Sequence, residues 1–215
     1  MPQVIKPCIL NRLYLSPLTF MKNICKPFIK AQPWSISQPF GVNPQSYQPN
    51  GHVGVDFGYY HGTGLVAPRN VRIVKLVEDL KWQDPKSEEL EMRRGFGVVM
   101  QDLEDQNLYY LYWHCTNTFP VEVGDIVQQG ELVALMSNTG YVMSAGQYVP
   151  LGNRNTPPYM GTHLHFEMYT LSDGKKNYLD SAKFVNWDIV PKYSDNILDK
   201  ISLMLKKMIK IINSK

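Results

Sequence analysis

The chain has 215 residues, of which 44% are hydrophobic and 12% aromatic, so it is long enough for one domain with a sizeable core and short flanking segments. Its net charge of +3 is mild, and no long basic run precedes the C-terminal tail, which gives little reason to expect a nucleic-acid partner. Thirteen tyrosines, 15 glycines and 15 prolines suit a β-rich fold with many turns.

The first segment, residues 1–33, is predicted to be an N-terminal extension. It carries positive charges and short apolar pieces, but Asn11, Arg12 and Pro17 interrupt any continuous apolar core, so we expect no cleavable signal peptide. No stretch of 18 apolar residues occurs, and no transmembrane helix is therefore predicted. A proline and the Ser, Gln and Pro residues after it mark the start of a domain over residues 34–191.

The first strand signal of this domain is the sequence GHVGVDFG, in which polar and apolar residues alternate. Its apolar face consists of Val53, Val55 and Phe57. The alternation places His52, Gly54 and Asp56 together on the other face of a half-buried strand. His61 follows in a glycine-rich turn without such partners and is predicted to be a loop histidine.

The middle of the domain is predicted to consist of short strands separated by turns. VAPRNVRIVKLVED indicates a strand pair, residues 81–94 form a charged insertion, and a hairpin turns around Glu104 to Asn107. VEVGDIVQQGELVALM repeats the pattern of glycine turn and strand. In the strand that ends in LYWHC, alternation predicts two faces, with Tyr110, Tyr112 and His114 opposite Leu111, Trp113 and Cys115.

A second insertion, residues 141–160, precedes the last strand signal, GTHLHFEM. In that strand His163, His165 and Glu167 alternate with an apolar set, Leu164, Phe166 and Met168. Because the insertion leads directly into His163, we expect it to line the substrate groove and to set specificity, with Tyr148 and Asn153 as candidate groove residues.

The cysteines are expected to form neither disulfide bonds nor a metal site. Cys8, Cys25 and Cys115 are an odd number at irregular spacing, which indicates neither a disulfide framework nor a cysteine zinc site. Cys115 is predicted to be a small buried hydrophobe.

The polar faces of these strands predict a zinc site. Two histidines at i and i+2 lie about 6 to 7 Å apart on one face, so both imidazoles can reach one pocket. A catalytic zinc ion takes three protein ligands and leaves a position for water, and His52, Asp56 and one of His163 and His165 supply such a set. The gap from His52 to Asp56 spans about 13 Å in an ideal strand. It therefore requires a bend or a strand end, which Gly54 would permit. A single strand histidine is more often structural, but several stretches here present His or Asp together.

The order of these motifs resembles that of the lysostaphin-type (LytM-like) zinc metallopeptidases, which cut peptides of bacterial peptidoglycan. The resemblance covers about residues 34 to 190 and depends on His-x-x-x-Asp followed by His-x-His. It implies one zinc ion per chain, held by His52, Asp56 and His165, with His163 and His114 as catalytic histidines. It also implies an oxyanion-binding tyrosine upstream of the first ligand, for which Tyr47 is the candidate, although a loop role for Tyr47 is equally open.

The C-terminal segment, residues 192–215, is predicted to be a basic amphipathic helix. Ser194 and Asp195 form a start signal, and from Lys200 onward the segment holds five lysines and no acid. Its apolar positions recur near the helical period and are Ile197, Ile201, Met204, Leu205, Met208 and Ile212. Contact with an anionic membrane surface and packing on the domain or on a second subunit are both open.

We therefore expect a mainly β fold, an antiparallel sheet or sandwich-like peptidase domain with a zinc groove. The expected function is zinc-dependent endopeptidase action on bacterial peptidoglycan, outside the cytoplasm, with a phage lysin or virion-borne enzyme as the expected origin. A zinc D-alanyl-D-alanine carboxypeptidase or dipeptidase is one alternative. A degenerate, non-catalytic protein that binds walls or activates an amidase is the other, and such proteins usually lack ligands that this chain retains.

Overall fold

The computed structural model describes residues 24–28, 35–43, 51–77, 95–189 and Leu205. Several predictions fall outside these residues: most of the N-terminal extension, Tyr47, the insertion at 81–94, and the C-terminal helix except for Leu205. Within the described part, no helix has the length and apolar character that crossing a membrane requires.

The main sheet has eight strands, and all of its neighbouring strands run antiparallel. In spatial order the first seven are β2 (Ser35–Gln38), β3 (Gly54–Gly58), β12 (His163–Ser172), β7 (Leu108–Cys115), β6 (Phe96–Asp102), β5 (Val71–Val77) and β8 (Ile126–Val127). The eighth strand, β13 (Lys175–Leu179), pairs with the second half of β12. The predicted mainly β, antiparallel fold is confirmed.

Three small strand pairs complete the architecture. They are β4 (Gly64–Val66) with β9 (Leu132–Leu135), β10 (Met143–Ser144) with β11 (Gln147–Tyr148), and β1 (Ile24–Cys25) in parallel with β14 (Val185–Asn186). Short 3-10 helices occupy Leu151–Asn153 and Ser181–Lys183. Of the strand pair predicted in VAPRNVRIVKLVED, one strand is present as β5, and it pairs with β6 and β8. Val66, the first residue of that stretch, ends β4, which pairs with β9.

The core lies between one face of the main sheet and the β4–β9 pair. Val55 and Phe57 of β3 and the apolar set of β12 all point into it, as the alternation predicts. Each of these side chains is almost completely buried, and burial of one such side chain contributes about 1.5–3 kcal/mol. The polar residues of both strands therefore lie together on the opposite face of the sheet.

The N-terminal residues 24–28 belong to this core, although the sequence places them in the extension before the domain. Ile24, Cys25 and Phe28 are buried, and Phe28 bridges to Leu65 of β4. Cys25 and Cys115 are both free and buried among the described residues, as the sequence predicts for Cys115.

Strand β7 departs from simple alternation. Tyr110 and Tyr112 lie in the main core, while Leu111 and Trp113 pack in a second cluster on the opposite face. The prediction that the two tyrosines share a polar face with His114 is therefore wrong. The pairing with β6 shifts between Phe96 and Val98, so that β7 contains an extra residue there. This bulge returns Cys115 to the main core, on the side of Tyr110 and Tyr112.

The predicted hairpin around Glu104 to Asn107 is present between β6 and β7. Its turn forms around the buried Asp102, whose Oδ1 accepts hydrogen bonds from the backbone N–H groups of Glu104 and Asp105, at 2.8 and 3.0 Å. The hydroxyl of Tyr110 donates to Oδ2 of Asp102 at 2.8 Å. Strand β7 thus starts from a fixed turn and runs from there to the candidate site.

Candidate metal centre

Three side chains from two neighbouring strands meet at one point. Asp56 of β3 and His165 of β12 are directly opposite each other in the strand pairing, and His52 lies two residues before β3 begins. The Nε2 atom of His52 lies 3.0 Å from Nδ1 of His165 and 3.3 Å from Oδ1 of Asp56. The third distance, from His165 Nδ1 to Asp56 Oδ1, is 2.8 Å. All three residues are buried.

This donor set fits a zinc ion. Imidazole nitrogen and carboxylate oxygen bind zinc at about 2.0–2.1 Å, so two tetrahedral ligand atoms lie about 3.3–3.4 Å apart. The three observed separations are equal to or slightly shorter than that value. A small expansion of the triangle is therefore sufficient to accommodate the ion.

The outer nitrogen of each ligand imidazole is fixed by the protein. Nδ1–H of His52 donates to the carbonyl of Pro39 at 3.1 Å, and Nε2–H of His165 donates to Oε1 of Glu167 at 3.1 Å. Zinc-binding histidines characteristically donate their second ring N–H to a carbonyl or a carboxylate, which orients the ring and fixes its tautomer. Glu167, which the alternation predicts on the same face as His165, is completely buried.

Glycines make room for this arrangement. A Cβ atom on Gly54 would lie 2.8 Å from two atoms of the His165 ring, so only glycine lets that imidazole lie across β3. Gly51 has a φ of 78°, and a Cβ there would meet the Gly41 carbonyl oxygen at 2.6 Å. His52 therefore lies in a turn before β3, which begins at Gly54. The strand end expected between His52 and Asp56 is present, and Gly54 also makes room for the His165 ring.

Two further histidines lie beside the three-residue set. Nδ1–H of His114 donates to the Thr139 carbonyl at 2.6 Å, and Nδ1–H of His163 donates to the Gly161 carbonyl at 2.8 Å. Nε2 of His163 is 3.7 Å from Oδ2 of Asp56. The ring centroids of His114 and His163 are 4.5 Å apart. Since a carbonyl only accepts, each ring has its Nδ1–H bound to the backbone and its Nε2 left for chemistry.

His114 reaches this position through an unusual backbone conformation. Its φ is 59°, in the left-handed region that non-glycine residues rarely adopt. This conformation coincides with the bulge in β7, so the residue leaves the alternation of Tyr110 and Tyr112. The sequence signal identifies the histidine, but the bulge and the backbone angle place it.

The pKa values of the site residues are shifted in different directions by burial and by neighbouring charges. Burial opposes ionisation of Asp56, but the neighbouring histidines, His163 first, hold the pKa of its carboxyl well below the usual range. Burial also opposes charge on His165, yet hydrogen bonds to Asp56 and Glu167 raise its pKa to about 9. A metal ion at Nδ1 replaces the proton that otherwise lies between His165 and Asp56. Burial, together with the charges of His163 and His165, holds the pKa of His114 well below its ordinary value.

The remaining candidates lie in the second insertion or beside it. The ring of Tyr148 is 4.5 Å from that of Tyr141, and the Arg154 guanidinium lies over Tyr148 at 4.5 Å. Asn153 is exposed on the adjacent 3-10 helix. His61 lies in a turn, as predicted. Its ring stacks on that of Tyr159 in the insertion, with centroids 3.8 Å apart. The groove role of Tyr148 and Asn153 stays a prediction.

Sequence reasoning missed the groups that hold the four histidines of the site. The carbonyls of Pro39, Thr139 and Gly161 act through the backbone, and no residue type signals that role. Glu167 had a signal, because alternation places it on the face of His165, two residues further along β12. A buried carboxylate beside a ligand histidine is a common partner in zinc sites.

Comparisons with known proteins agree with this geometry. The family model described as peptidase family M23 matches residues 50–180. Among solved structures, the antimicrobial peptidase lysostaphin from Staphylococcus simulans is 19% identical, with 80% of this chain and 62% of that chain covered and a TM-score of 0.52. A lytM protein from Ruminococcus gnavus is 17% identical, with coverages of 76% and 60% and a TM-score of 0.52.

A zinc-containing peptidase from Vibrio cholerae is 18% identical, with 77% of this chain and 40% of that chain covered and a TM-score of 0.50. The chain spans less than two thirds of the length of each of these three proteins. At these identities the structural matches show a shared fold. No curated protein matches the sequence.

Proposed function

The chain belongs to peptidase family M23, as its resemblance to lysostaphin-type enzymes implies, and from this premise we propose that it is a zinc-dependent endopeptidase of bacterial peptidoglycan. We assign zinc binding to His52, Asp56 and His165, and catalysis to His114 and His163. One observation carries the proposal: three donor atoms converge within 3.3 Å of one another while the outer nitrogens of both imidazoles are held elsewhere.

When bound, zinc supplies a Lewis acid for the scissile carbonyl and lowers the pKa of a water molecule from about 15.7 towards 7. Of the two catalytic histidines, one accepts the proton of the attacking water at Nε2, since its Nδ1–H is held by a backbone carbonyl. The ring charged in this way then donates a proton to the leaving amine. His114, whose low pKa keeps it neutral, and the more exposed His163 share these steps.

Burial of the site strengthens each of these interactions. His52, Asp56, His114 and His165 all lie in the interior, where charge is screened less than at the surface. His163 has 14% of its side chain exposed, so it marks the side from which a peptide reaches the centre. The insertion at 141–160 adjoins that side through Gly161, which supports its proposed role in the substrate groove.

The test measures zinc content and wall digestion with the same protein. Purified cell walls of several bacterial types are digested and the released fragments are identified by mass spectrometry. We expect about one zinc per chain and internal cleavage of stem peptides or cross-bridges. His52→Ala is expected to lose both zinc and at least about 100-fold of the activity, because catalysis is routed through the metal. His61→Ala is the matched control for zinc content and is expected to retain the metal, because His61 lies outside the donor set and stacks on the insertion.

Two results would reject the proposal. Release of only single terminal residues from stem peptides indicates a carboxypeptidase and not an endopeptidase. A protein that binds no zinc when zinc is supplied is not the hydrolase and would instead suit a non-catalytic wall-binding role.

A further inference from the structure

The turn formed by residues 137–140 and the insertion at 141–160 meet at one completely buried side chain, that of Asn138. Its Nδ2 donates a hydrogen bond to the carbonyl of Met160 at 2.8 Å. Its Oδ1 accepts a hydrogen bond from the backbone N–H of Asn155 at 2.7 Å. Asn138 thus fastens both the middle and the end of the insertion to the turn.

The two segments joined by Asn138 hold the two catalytic histidines. The residue after Asn138, Thr139, provides the carbonyl that binds Nδ1–H of His114. The residue after Met160, Gly161, provides the carbonyl that binds Nδ1–H of His163. The hydrogen bond from Asn138 to Met160 is therefore one residue away from each of these anchors.

The two anchors differ in how they are supported. Thr139 has independent support, because its hydroxyl donates to the Cys115 carbonyl at 2.7 Å and accepts from the Phe96 N–H at 3.1 Å. Both of those partners lie on core strands of the main sheet. Gly161 follows an exposed stretch of the insertion, where Thr162 binds the Tyr159 carbonyl within the same turn. Asn138 ties this turn to the rest of the protein through the Met160 carbonyl. His163 itself is paired with Gly58 of β3 in the main sheet. The carbonyl that orients its ring, and not its place on the strand, therefore depends on Asn138.

We propose that Asn138 is a positioning residue that sets the ring orientation and tautomer of His163 by fixing the backbone at Met160 and Gly161 against the Thr139 turn. This inference rests on the proposed peptidase function, in which His163 transfers protons. An amide is suited to the role because one side chain both donates and accepts, and a buried polar group without partners is costly. Small displacements at such a site reduce rates strongly, by about 100-fold for 1 Å.

Asn138→Asp is the informative variant. Aspartate has nearly the same shape and still accepts from the Asn155 N–H, but it places an oxygen against the Met160 carbonyl and has no donor for it. The contrasting variant is Thr139→Val, which removes the hydroxyl bonds that support the His114 anchor. Ser181→Ala is the control, because the buried Ser181 hydroxyl binds the Phe166 carbonyl away from both anchors.

Each zinc-loaded variant is compared with the wild type by nitrogen-15 NMR of histidine side chains, by zinc content and by steady-state kinetics on soluble wall fragments. For Asn138→Asp we expect retained zinc, displaced or tautomer-mixed signals from His163 with His114 nearly unchanged, and a kcat lowered about 10- to 100-fold at similar KM. For Thr139→Val we expect the larger NMR change at His114. Ser181→Ala should leave both rings and kcat unchanged.

Wild-type histidine signals and kcat in Asn138→Asp, even with a lowered melting temperature, would show that Asn138 is only structural and would overturn the inference. An equal response of His163 in Ser181→Ala would overturn it too. The NMR comparison remains decisive if the protein cuts no cell wall. Failure of the proposed peptidase function is therefore distinguishable from failure of the proposed role of Asn138.

Discussion

Replacement of Glu167 by glutamine tests whether the buried carboxylate strengthens zinc binding through His165. Glutamine keeps the shape and can still accept from Nε2–H of His165, now 3.1 Å from Oε1, but it loses the negative charge. A hydrogen bond to a charged group is worth about 1.5–3 kcal/mol, and one between neutral groups about 0.5–1.5 kcal/mol. The difference of about 1–1.5 kcal/mol corresponds to a zinc affinity that is about 5- to 12-fold weaker.

The assay is a competition titration of zinc against a chromophoric chelator. Glu167 also raises the pKa of His165, so the titration is run at about pH 9, where protons compete less for the ring. Glu104→Gln is the control, since Glu104 is a half-exposed carboxylate that pairs with Arg69 in the turn before β7, at the opposite end of that strand from His114. A Glu167→Gln protein with wild-type zinc affinity would refute the reasoning that the carboxylate acts through His165.

Three further predictions follow from the same centre. Gly54→Ala should weaken zinc binding at least about 10-fold, because its Cβ lies 2.8 Å from the His165 ring, whereas Gly152→Ala, with open space around it, should not. Treatment with a chelator should abolish wall hydrolysis and lower the melting temperature, and zinc should restore both, which calorimetry and a turbidity assay can follow. Joint replacement of Tyr141 and Tyr148 by alanine should keep zinc and change which walls are cut fastest; unchanged preferences would remove the insertion from the substrate groove.

The sequence predicts the two strands that carry the metal donors because their environment is uniform. β3 and the first six residues of β12, 163–168, have one face in the core, so polar and apolar residues alternate there. Such a strand can be read from its period alone. However, Asp56 lies opposite His165 because of the register between the two strands. Alternation places both His163 and His165 on the same face as Asp56 and does not predict that register. The resemblance to a family, and not the spacing, separated the two.

Strand β7 could not be predicted in the same way. Side chains cover both of its faces, so Tyr110 and Trp113 are buried on opposite sides and the alternation of polarity is lost. The added residue near Cys115 then reverses the face within a single strand. Bulges depend on the pairing with a partner strand, here β6, which is a tertiary interaction that local sequence does not contain.

The backbone angle of His114 has a consequence for the evolution of this protein. A left-handed conformation costs a residue with a side chain on the order of 1–2 kcal/mol, and glycine would relieve that cost. The same exchange would delete the imidazole beside His163. With the catalytic role proposed for His114, selection for heat resistance and selection for turnover act in opposite directions at position 114, and a more heat-stable descendant that keeps its activity must gain its stability elsewhere in the chain.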